Sequence, residues 1–284
     1  MATEDRQRVS LNMKTQQNNI IFPQIMGILN VTPDSFSDGS NLLNLNERLS
    51  FAEELIKNGA DIIDIGGETT KPNSDETPAN IELDRVLPVL KQIRNRYPNL
   101  TISIDTRKAE VANECLKHNA DIINDVSGLQ YNKEIASIVA KYNASLVITH
   151  SKGKPKTMQN NPIYENIVIE IFNYLKEKIY FAKDKGVEKI ISDVGIGFGK
   201  TLEHNLTLLK NINHFEMLNT PMLLGISRKK FIKAITEIEL PIERDFVTMI
   251  YHTILLKHKN INIIRVHNVK LAMQMKKIYS SLFI

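Results

Sequence analysis

Eight short runs rich in Ile, Leu and Val recur along this sequence, and stretches with helical spacing separate them. Continuous apolar runs of this kind are typical of parallel strands, which are buried on both faces. Eight such units predict a closed (β/α)₈ barrel, the α/β TIM-barrel fold, with its active site at the carboxyl ends of the strands. An open doubly wound sheet is the alternative. The predicted strands are 24–30, 61–65, 101–104, 121–124, 145–149, 189–192, 221–225 and 261–264, and the predicted helices are 45–58, 78–97, 109–118, 133–142, 164–185, 203–212, 245–258 and 269–279.

The first twenty residues differ from the rest of the chain, because they are polar, rich in Gln and Asn and mixed in charge. They lack the apolar segment of a secretory signal, so we expect a flexible tail at 1–20. No linker-like stretch divides the remainder. This predicts a single barrel domain at 21–284, since α/β barrels of about 250 residues are single domains.

Composition argues against several classes of protein. The net charge is only +4, and Lys and Arg are interspersed with Asp and Glu. A nucleic-acid-binding surface would need a concentrated basic face, and a membrane span would need about 18 consecutive apolar residues. The single cysteine, Cys115, permits no internal disulfide and fits a reducing, cytoplasmic compartment. We expect it to be a buried apolar residue of a helix rather than a reactive thiol.

Polar and charged side chains follow the predicted strands at their carboxyl ends. Any one of them is most simply the cap of the next helix. Their recurrence at nearly every strand end is harder to attribute to capping, because caps need not fall directly after each strand. Since the strand ends of a barrel converge, we expect these side chains to share one cavity. They are Asn30 with Asp34, Glu68 with Thr69 and Thr70, Asp105, Asn124, His150, Asp193, Lys229, and Arg265 with His267.

These side chains form two sets by their chemistry. Two carboxylates, an amide and an amine suit a flat heterocycle with amidine-like N–H groups and a lactam edge. That set is Asp105, Asn124, Asp193 and Lys229. Arg265 and His267 alternate along the last strand, so both can face the cavity. With Asn30 they suit a phosphate or pyrophosphate, with or without a magnesium ion held by few protein ligands.

Two local patterns are too weak to assign a site. The glycine-rich stretch 195–201 lacks the four-residue gap that precedes Gly-Lys-Thr in a P-loop, and it is not a dinucleotide fingerprint. His150 has no second His or Cys at metal-ligand spacing. We therefore predict neither a nucleotide site nor a histidine metal site.

The strings at the strand ends resemble, in family order, those of the dihydropteroate synthase family. The most specific match is Ile-Leu-Asn-Val-Thr-Pro-Asp-Ser-Phe-Ser-Asp-Gly at 28–39. The resemblance extends over nearly the whole chain, from about residue 24 to 277. The other matching strings are 64–72, 104–108, 123–128, 193–201, 227–229 and 265–267.

The resemblance implies a transferase of folate biosynthesis, a sulfonamide target, that condenses 6-hydroxymethyl-7,8-dihydropterin diphosphate with para-aminobenzoate and releases pyrophosphate with Mg²⁺. By motif, the pterin ring would be held by Asp105, Asn124, Asp193 and Lys229, and Phe198 joins the substrate-binding residues. Asn30 would meet the metal, while Thr70, Arg265 and His267 would meet the diphosphate. The mobile loops that close over para-aminobenzoate would contain Thr32, Pro33, Asp34 and Phe36, and Thr69, Lys71 and Pro72.

Asp34 is the catalytic candidate of the first loop, beside Lys229, Arg265 and His267. It would stabilise the cation left by early C–O cleavage, or order its loop. The arylamine is already nucleophilic, and we expect no His to pair with a Ser or Cys at a strand end, so no strong general base is predicted. Replacing Asp34 with Ala should lower turnover far more than pterin binding; unchanged turnover would contradict this role.

Three other interpretations fit parts of the pattern: a methyltetrahydrofolate methyltransferase, a Schiff-base aldolase using Lys229, and a non-catalytic pterin-binding barrel. The first would not need the 28–39 loop, and the last would need a broken site. Four departures from the family pattern occur: Lys71 stands for a common Arg, Val194 for a common Pro, residues 149–151 for a more Met-rich segment, and Lys230 at a position that the family varies. We expect a homodimer, and the C-terminal helix offers an apolar face with Leu271, Met273, Met275 and Ile278.

Overall fold

Eight parallel strands pair in sequence order and close into a barrel, because the last strand also pairs with the first. The computed structural model of the chain describes residues 22–32, 44–69, 76–153 and 157–283. This is the predicted α/β TIM barrel, and the open sheet is wrong. The strands are β1 Gln24–Asn30, β2 Ile62–Gly66, β3 Thr101–Asp105, β4 Ile122–Asp125, β5 Ser145–Thr149, β6 Lys189–Asp193, β7 Met222–Leu224 and β8 Ile261–Val266.

Helices surround the barrel in the described part of the chain. They are α1 Leu45–Lys57, α2 Ala79–Arg96, α3 Ala109–Lys117, α4 Glu134–Lys141, α5 Ile167–Asp184, α6 Leu202–Lys210, α7 Lys230–Thr236, α8 Asp245–Leu255 and α9 Val269–Phe283. Two 3-10 helices, Ile212–Leu218 and Pro241–Arg244, complete the set. The sequence did not predict α7, because seven residues give less than two full turns in which to read a helical period.

Local sequence signals explain how α1 begins and ends. The Asn44 side chain accepts a bond of 3.0 Å from the Glu47 N–H, and Glu47 accepts one of 2.8 Å from the Asn44 N–H. This capping box satisfies two otherwise free donors of the first turn. Gly59 follows the helix at φ 99°, a conformation open mainly to glycine, and a Cβ there would lie 2.2 Å from Met273 Cε. Gly59 therefore ends α1, as predicted, and admits α9 closely.

The barrel interior changes character along each strand. A cluster of buried apolar side chains fills its lower part: Met26, Ile62, Ile122, Val147, Ile191, Leu223 and Ile263. Side chains two residues apart in a strand face the same side. The next inward positions on β2, β4, β6 and β8 are therefore Asp64, Asn124, Asp193 and Arg265. One step along the strand turns an apolar core into a polar floor for a cavity.

Other sequence predictions have mixed outcomes. The predicted tail at 1–20 lies outside the described residues, so it stays a prediction. Cys115 is fully buried, and burial raises the pKa of its thiol to about 12. This confirms the expectation of a buried apolar residue. Across the described ranges, no helix combines the length and apolar character required to cross a bilayer.

Candidate active site

A charged network lies at the bottom of the cavity, where β2, β3, β4 and β8 meet. Arg265 donates from Nε to Asp64 Oδ2 at 2.6 Å and from an Nη atom to Asp105 Oδ2 at 2.8 Å. Asn124 donates from Nδ2 to the same Asp64 oxygen at 3.1 Å. The structure thus brings Asp105 and Asn124 together as predicted. It also pairs Arg265 with the ring-binding set, from which the sequence interpretation had separated it.

Asp64 is the residue that sequence reasoning missed. Its side chain is fully buried, and Oδ1 has no hydrogen-bond partner among the described residues. A buried carboxylate oxygen left unpaired is costly, so such a group demands an explanation. A ligand N–H group in the cavity would supply the partner. The available signal was an acid in the middle of an otherwise apolar strand, on the same face as Ile62.

Burial dominates the electrostatics of this network. It raises the pKa of Asp105 to about 7, although Arg265 opposes the shift, and the nearby Asp64 charge adds to it. Burial also acts to lower the pKa of Arg265, but Asp64 and Asp105 outweigh it and the net shift is upward. Arg265 is therefore a permanent cation between two acids. The negative charge on Asp105 is the adjustable part of the site.

A second cluster follows β6 and β7. Asp193 Oδ1 accepts a bond of 2.8 Å from the Gly195 N–H. Lys229 donates to the Ile196 carbonyl, and its Nζ lies 4.3 Å from the centre of the Phe198 ring. Burial lowers the pKa of Lys229 to about 8, with Asp193 acting against the shift. Burial likewise raises the pKa of Asp193, and Lys229 acts against it. Asp193, Phe198 and Lys229 thus share one wall of the cavity, as the sequence predicted.

His267 pairs with a serine, which the sequence analysis did not expect. Its Nδ1 lies 2.9 Å from Ser227 Oγ, and its backbone N–H donates to the same oxygen at 3.2 Å. Burial lowers the pKa of His267 to about 3, and the charges of Arg228 and Arg265 act in the same direction. The predicted absence of a Ser–His pair at a strand end is therefore wrong. His267 is therefore a neutral hydrogen-bonding group. Of the two residues predicted to bind the diphosphate from the end of β8, Arg265 and His267, Arg265 alone carries a positive charge.

Asn30 ends β1 beside the charged network. A Cβ built on Gly66 would lie 3.3 Å from Asn30 Oδ1 and 3.6 Å from Asp105 Cβ, so glycine lets the two side chains approach. An amide oxygen is a hard donor of the kind Mg²⁺ prefers, and Mg²⁺ needs few protein ligands when substrate phosphates supply the rest. No cluster of three His, Cys, Asp or Glu able to hold a metal occurs among the described residues. The donors present suit a metal ion that would take most of its ligands from the substrate.

The two predicted mobile loops are described only at their ends. Thr32 is buried just beyond β1, and Thr69 is half-buried beyond β2. The remaining loop residues lie outside the described ranges, so their roles stay predictions. They are Pro33, Asp34, Phe36, Thr70, Lys71 and Pro72.

Glu68 stands at a strand end but is engaged by its neighbours. It accepts two bonds of 3.0 Å from Arg107 and one of 2.8 Å from Lys108. The Thr77 N–H donates to it at 2.9 Å. Burial acts to raise the pKa of Glu68, but the bonds from Arg107 and Lys108 outweigh it and the pKa is lowered. Glu68 therefore joins the loop after β2 to the loop after β3.

His150 is likewise occupied within the protein. Its Nδ1 lies 2.9 Å from Lys200 Nζ, and both residues are buried. Burial lowers the pKa of His150 to about 2, with Lys200 acting in the same direction. Lys200 Nζ also donates to the Phe198 carbonyl at 3.0 Å. Through Lys200, His150 thus joins the loop after β5 to the loop after β6.

Comparisons with known proteins agree with this site. A family model described as a pterin binding enzyme matches residues 26–267. The dihydropteroate synthase of Haemophilus influenzae is 39% identical over 275 residues, covering 95% of this chain and 98% of that protein. The chain belongs to the dihydropteroate synthase family. The family prediction is confirmed, and the methyltransferase and non-catalytic alternatives are not favoured.

Solved structures of dihydropteroate synthases share the fold. The enzyme from Clostridium difficile, solved in the presence of pteroic acid, superimposes with a TM-score of 0.83 at 39% identity, covering 92% of this chain and 97% of that one. The enzyme from Xanthomonas albilineans, solved in complex with 7,8-dihydropteroate, has a TM-score of 0.82 at 32% identity, covering 93% and 94%. Membership of the dihydropteroate synthase family thus rests on both sequence and fold.

Proposed function

We propose that this chain catalyses the dihydropteroate synthase reaction. The amine of para-aminobenzoate displaces the diphosphate of 6-hydroxymethyl-7,8-dihydropterin diphosphate. A C–O bond breaks, a C–N bond forms, and the amine loses a proton. The observation that carries the proposal is the Asp64–Arg265–Asp105 network with Asn124, in which Asp64 is fully buried. This network presents paired donors and acceptors to a flat polar ring. Family membership independently supports this transferase activity.

The pterin ring is held by groups that its edges complement. Asp105 and Asp193 accept from ring and exocyclic N–H groups, and Asn124 both donates and accepts. Lys229 donates to a ring acceptor from beside Phe198. Because the site is buried, each unmatched group costs more than it would in water, so the set selects for pterin over rings with other edges.

The diphosphate end is held by Arg265, His267 and Asn30. Arg265 is a permanent cation and stabilises negative charge as it develops on the leaving group. His267 is neutral and contributes a hydrogen bond. Asn30 offers its amide oxygen to a magnesium ion, which when bound supplies further charge stabilisation at the diphosphate. Thr70 also contacts the diphosphate in this proposal.

The arylamine enters last, under the loops that follow β1 and β2. Asp34 stabilises positive charge at the pterin methylene or orders its loop. Thr32, Pro33 and Phe36 of the first loop, and Thr69, Lys71 and Pro72 of the second, enclose para-aminobenzoate. Lys71 keeps a positive charge but has no planar fork for bidentate binding of a carboxylate.

We also propose a cytoplasmic homodimer. On the apolar face predicted on α9, Met275 is buried and Leu271 and Met273 pack against the core, while Ile278 is 63% exposed. A second candidate face, with more exposed apolar side chains, lies on α8, where Phe246 and Ile254 are 67% and 58% exposed. Neighbouring exposed side chains extend it: Leu240, Ile242 and Ile250. The reduced, buried Cys115 supports the cytoplasmic location.

The decisive experiment measures pyrophosphate release by the purified protein. We expect release that requires both para-aminobenzoate and the dihydropterin diphosphate, and that falls when Mg²⁺ is removed by a chelator. Release with the diphosphate alone would indicate hydrolysis and contradict the assignment. Borohydride trapping should yield no adduct at Lys229, which distinguishes the reaction from a Schiff-base aldolase.

A further inference from the structure

The residue before Lys229 adopts an unusual backbone conformation. Arg228 has φ of 60°, in the left-handed region that residues other than glycine rarely occupy. Its N–H donates to Thr248 Oγ1 at 3.3 Å, and its carbonyl accepts from Arg244 at 2.9 Å. Such a conformation is unfavourable for a residue other than glycine and persists only where the surroundings enforce it. The start of α8 therefore holds the loop after β7 in this shape.

One carboxylate dominates that hold. Asp245, the first residue of α8, is 7% exposed. It accepts two bonds of 2.7 Å from the Arg228 guanidinium, in the planar two-bond geometry that makes such pairs strong. The same carboxylate accepts from Asn268 Nδ2 at 3.1 Å. Asp245 thus connects the loop after β7 with the loop after β8.

The two residues that Asp245 holds each adjoin a residue of the proposed site. Arg228 precedes Lys229, and Asn268 follows His267. The same two loops are joined on the cavity side by the bond between Ser227 Oγ and His267 Nδ1, at 2.9 Å. Lys229 therefore directly follows a residue that Asp245 binds, and His267 lies between its own contact with Ser227 and the Asp245-bound Asn268.

We propose that Asp245 is a positioning residue that fixes Lys229 and His267 in their working orientations. The inference rests on the proposed function, because it concerns how that site is assembled. A role in stability alone is a weaker explanation of these contacts, because a buried ion pair often contributes little net stability. Placement matters more, because a displacement of about 1 Å in an active site can lower turnover by about a hundredfold.

The test compares Asp245→Asn with Asp121→Asn. Asp121 accepts from Arg94 at 2.6 Å and from the Ile102 N–H at 2.8 Å, but it lies at the opposite end of the barrel. We expect D245N to lower kcat by about tenfold to a hundredfold. D121N should leave kcat within about twofold of the wild type. Because Asp245 is buried and the Asp121 side chain is 46% exposed, D245N should lower the thermal unfolding midpoint more than D121N, so kcat is compared at a temperature at which both variants are fully folded.

A swap of acid and amide provides the rescue. Because Asn268 Nδ2 lies 3.1 Å from the same Asp245 oxygen that binds Arg228, the double variant D245N/N268D places a carboxylate beside the same ion-pair position. An Asp at 268 can also keep the bond that Asn268 Oδ1 accepts from the Leu271 N–H. We expect the double variant to recover most of the lost kcat. Arg228→Lys, which keeps the charge without the planar fork, should resemble D245N.

Several results would overturn the proposal. They are a D245N kcat within twofold of the wild type, an equal loss in D121N, or a folded D245N/N268D without recovery. The ring ¹⁵N signals of His267 give a readout that needs no turnover, and they should shift in D245N and R228K but not in D121N. Unshifted signals would reject the positioning role. A wild-type protein without pyrophosphate release would instead reject the proposed function.

Discussion

The two inward-facing layers of the barrel lie on the same strands but differ in chemical character. The lower layer, with Ile62, Ile122 and Ile263, is apolar and buried. The upper layer begins two residues later with Asp64, Asn124 and Arg265, joined by bonds of 2.6 to 3.1 Å. One strand pleat therefore separates the part of the barrel that contributes hydrophobic stability from the part that forms the proposed active site.

The layers also differ in how completely the packing and hydrogen-bonding requirements of their side chains are met. Apolar side chains need only close neighbours, whereas buried polar atoms need hydrogen bonds. In the upper layer, Asp64 Oδ1 and Thr149 Oγ1 have no partner within the described residues. Polar atoms left unpaired in this way are expected where a ligand completes the structure.

The largest effect should come from Arg265→Met. Its loss leaves Asp64 and Asp105 buried without their cation, so we expect turnover to fall by about a thousandfold and stability by about 3–5 kcal/mol. Steady-state kinetics and urea unfolding measure the two effects. The matched control is Ile263→Met, one pleat lower on the same strand, which should cost under about 1.5 kcal/mol and spare activity. Equal losses of turnover in the two variants would contradict the separation of the two layers.

Asn124→Leu should have the next largest effect. The change removes the amide that bonds to Asp64 and faces the proposed ring, so we expect pterin affinity to fall by about tenfold to a hundredfold. Calorimetric titration with the dihydropterin diphosphate measures it. Ile122→Leu, the control on the same strand, should bind normally. Weak binding by both variants would mean that the layers are not functionally separate.

The pH dependence of pterin binding tests the proposed roles of two site residues. Ionised Asp105 is the stronger acceptor, and burial raises its pKa to about 7, so affinity should fall as pH drops below that value. Protonated Lys229 is the stronger donor, and burial lowers its pKa to about 8, so affinity should also fall above pH 8. Each limb should approach tenfold per pH unit. Binding that is flat from pH 5.5 to 9.5 would contradict these assignments.

The smallest effect concerns a buried polar residue outside both layers. His252 on α8 is fully buried, neither ring nitrogen has a partner among the described residues, and burial lowers its pKa to about 3. The unfolded chain gains this proton near pH 6.5, so stability is present above 6.5 and is lost as pH falls towards 3. His252→Leu should reduce the slope of unfolding free energy against pH by up to about 1.4 kcal/mol per unit.

Much of the fold could be predicted from the sequence because parallel strands leave continuous apolar runs. The strand ends then located Asp105, Asn124, Asp193, Lys229 and Arg265 in one cavity, since a barrel forces its strand ends together. Pairing within the cavity could not be predicted, because it depends on side-chain direction and tilt around the barrel. The joining of Arg265 to Asp64, which lie 201 positions apart, is such a case.

Other features left no pattern long enough to detect. Helix α7 has seven residues, too few for a period. The Ser227–His267 pair comes from loops on adjacent strands, and nothing in their spacing along the chain indicates contact. Protonation states depend on burial, so the neutral form of His267 could not be deduced from its residue type.

Gly66 has a consequence for substrate selection. Its missing side chain brings Asn30 Oδ1, the proposed metal donor, next to Asp105, the proposed ring acceptor. Any larger residue at position 66 would occupy the space between the proposed metal donor and the proposed ring acceptor. We expect this arrangement to bind a pterin whose diphosphate is attached through one methylene group and to exclude a homologue with a longer linker.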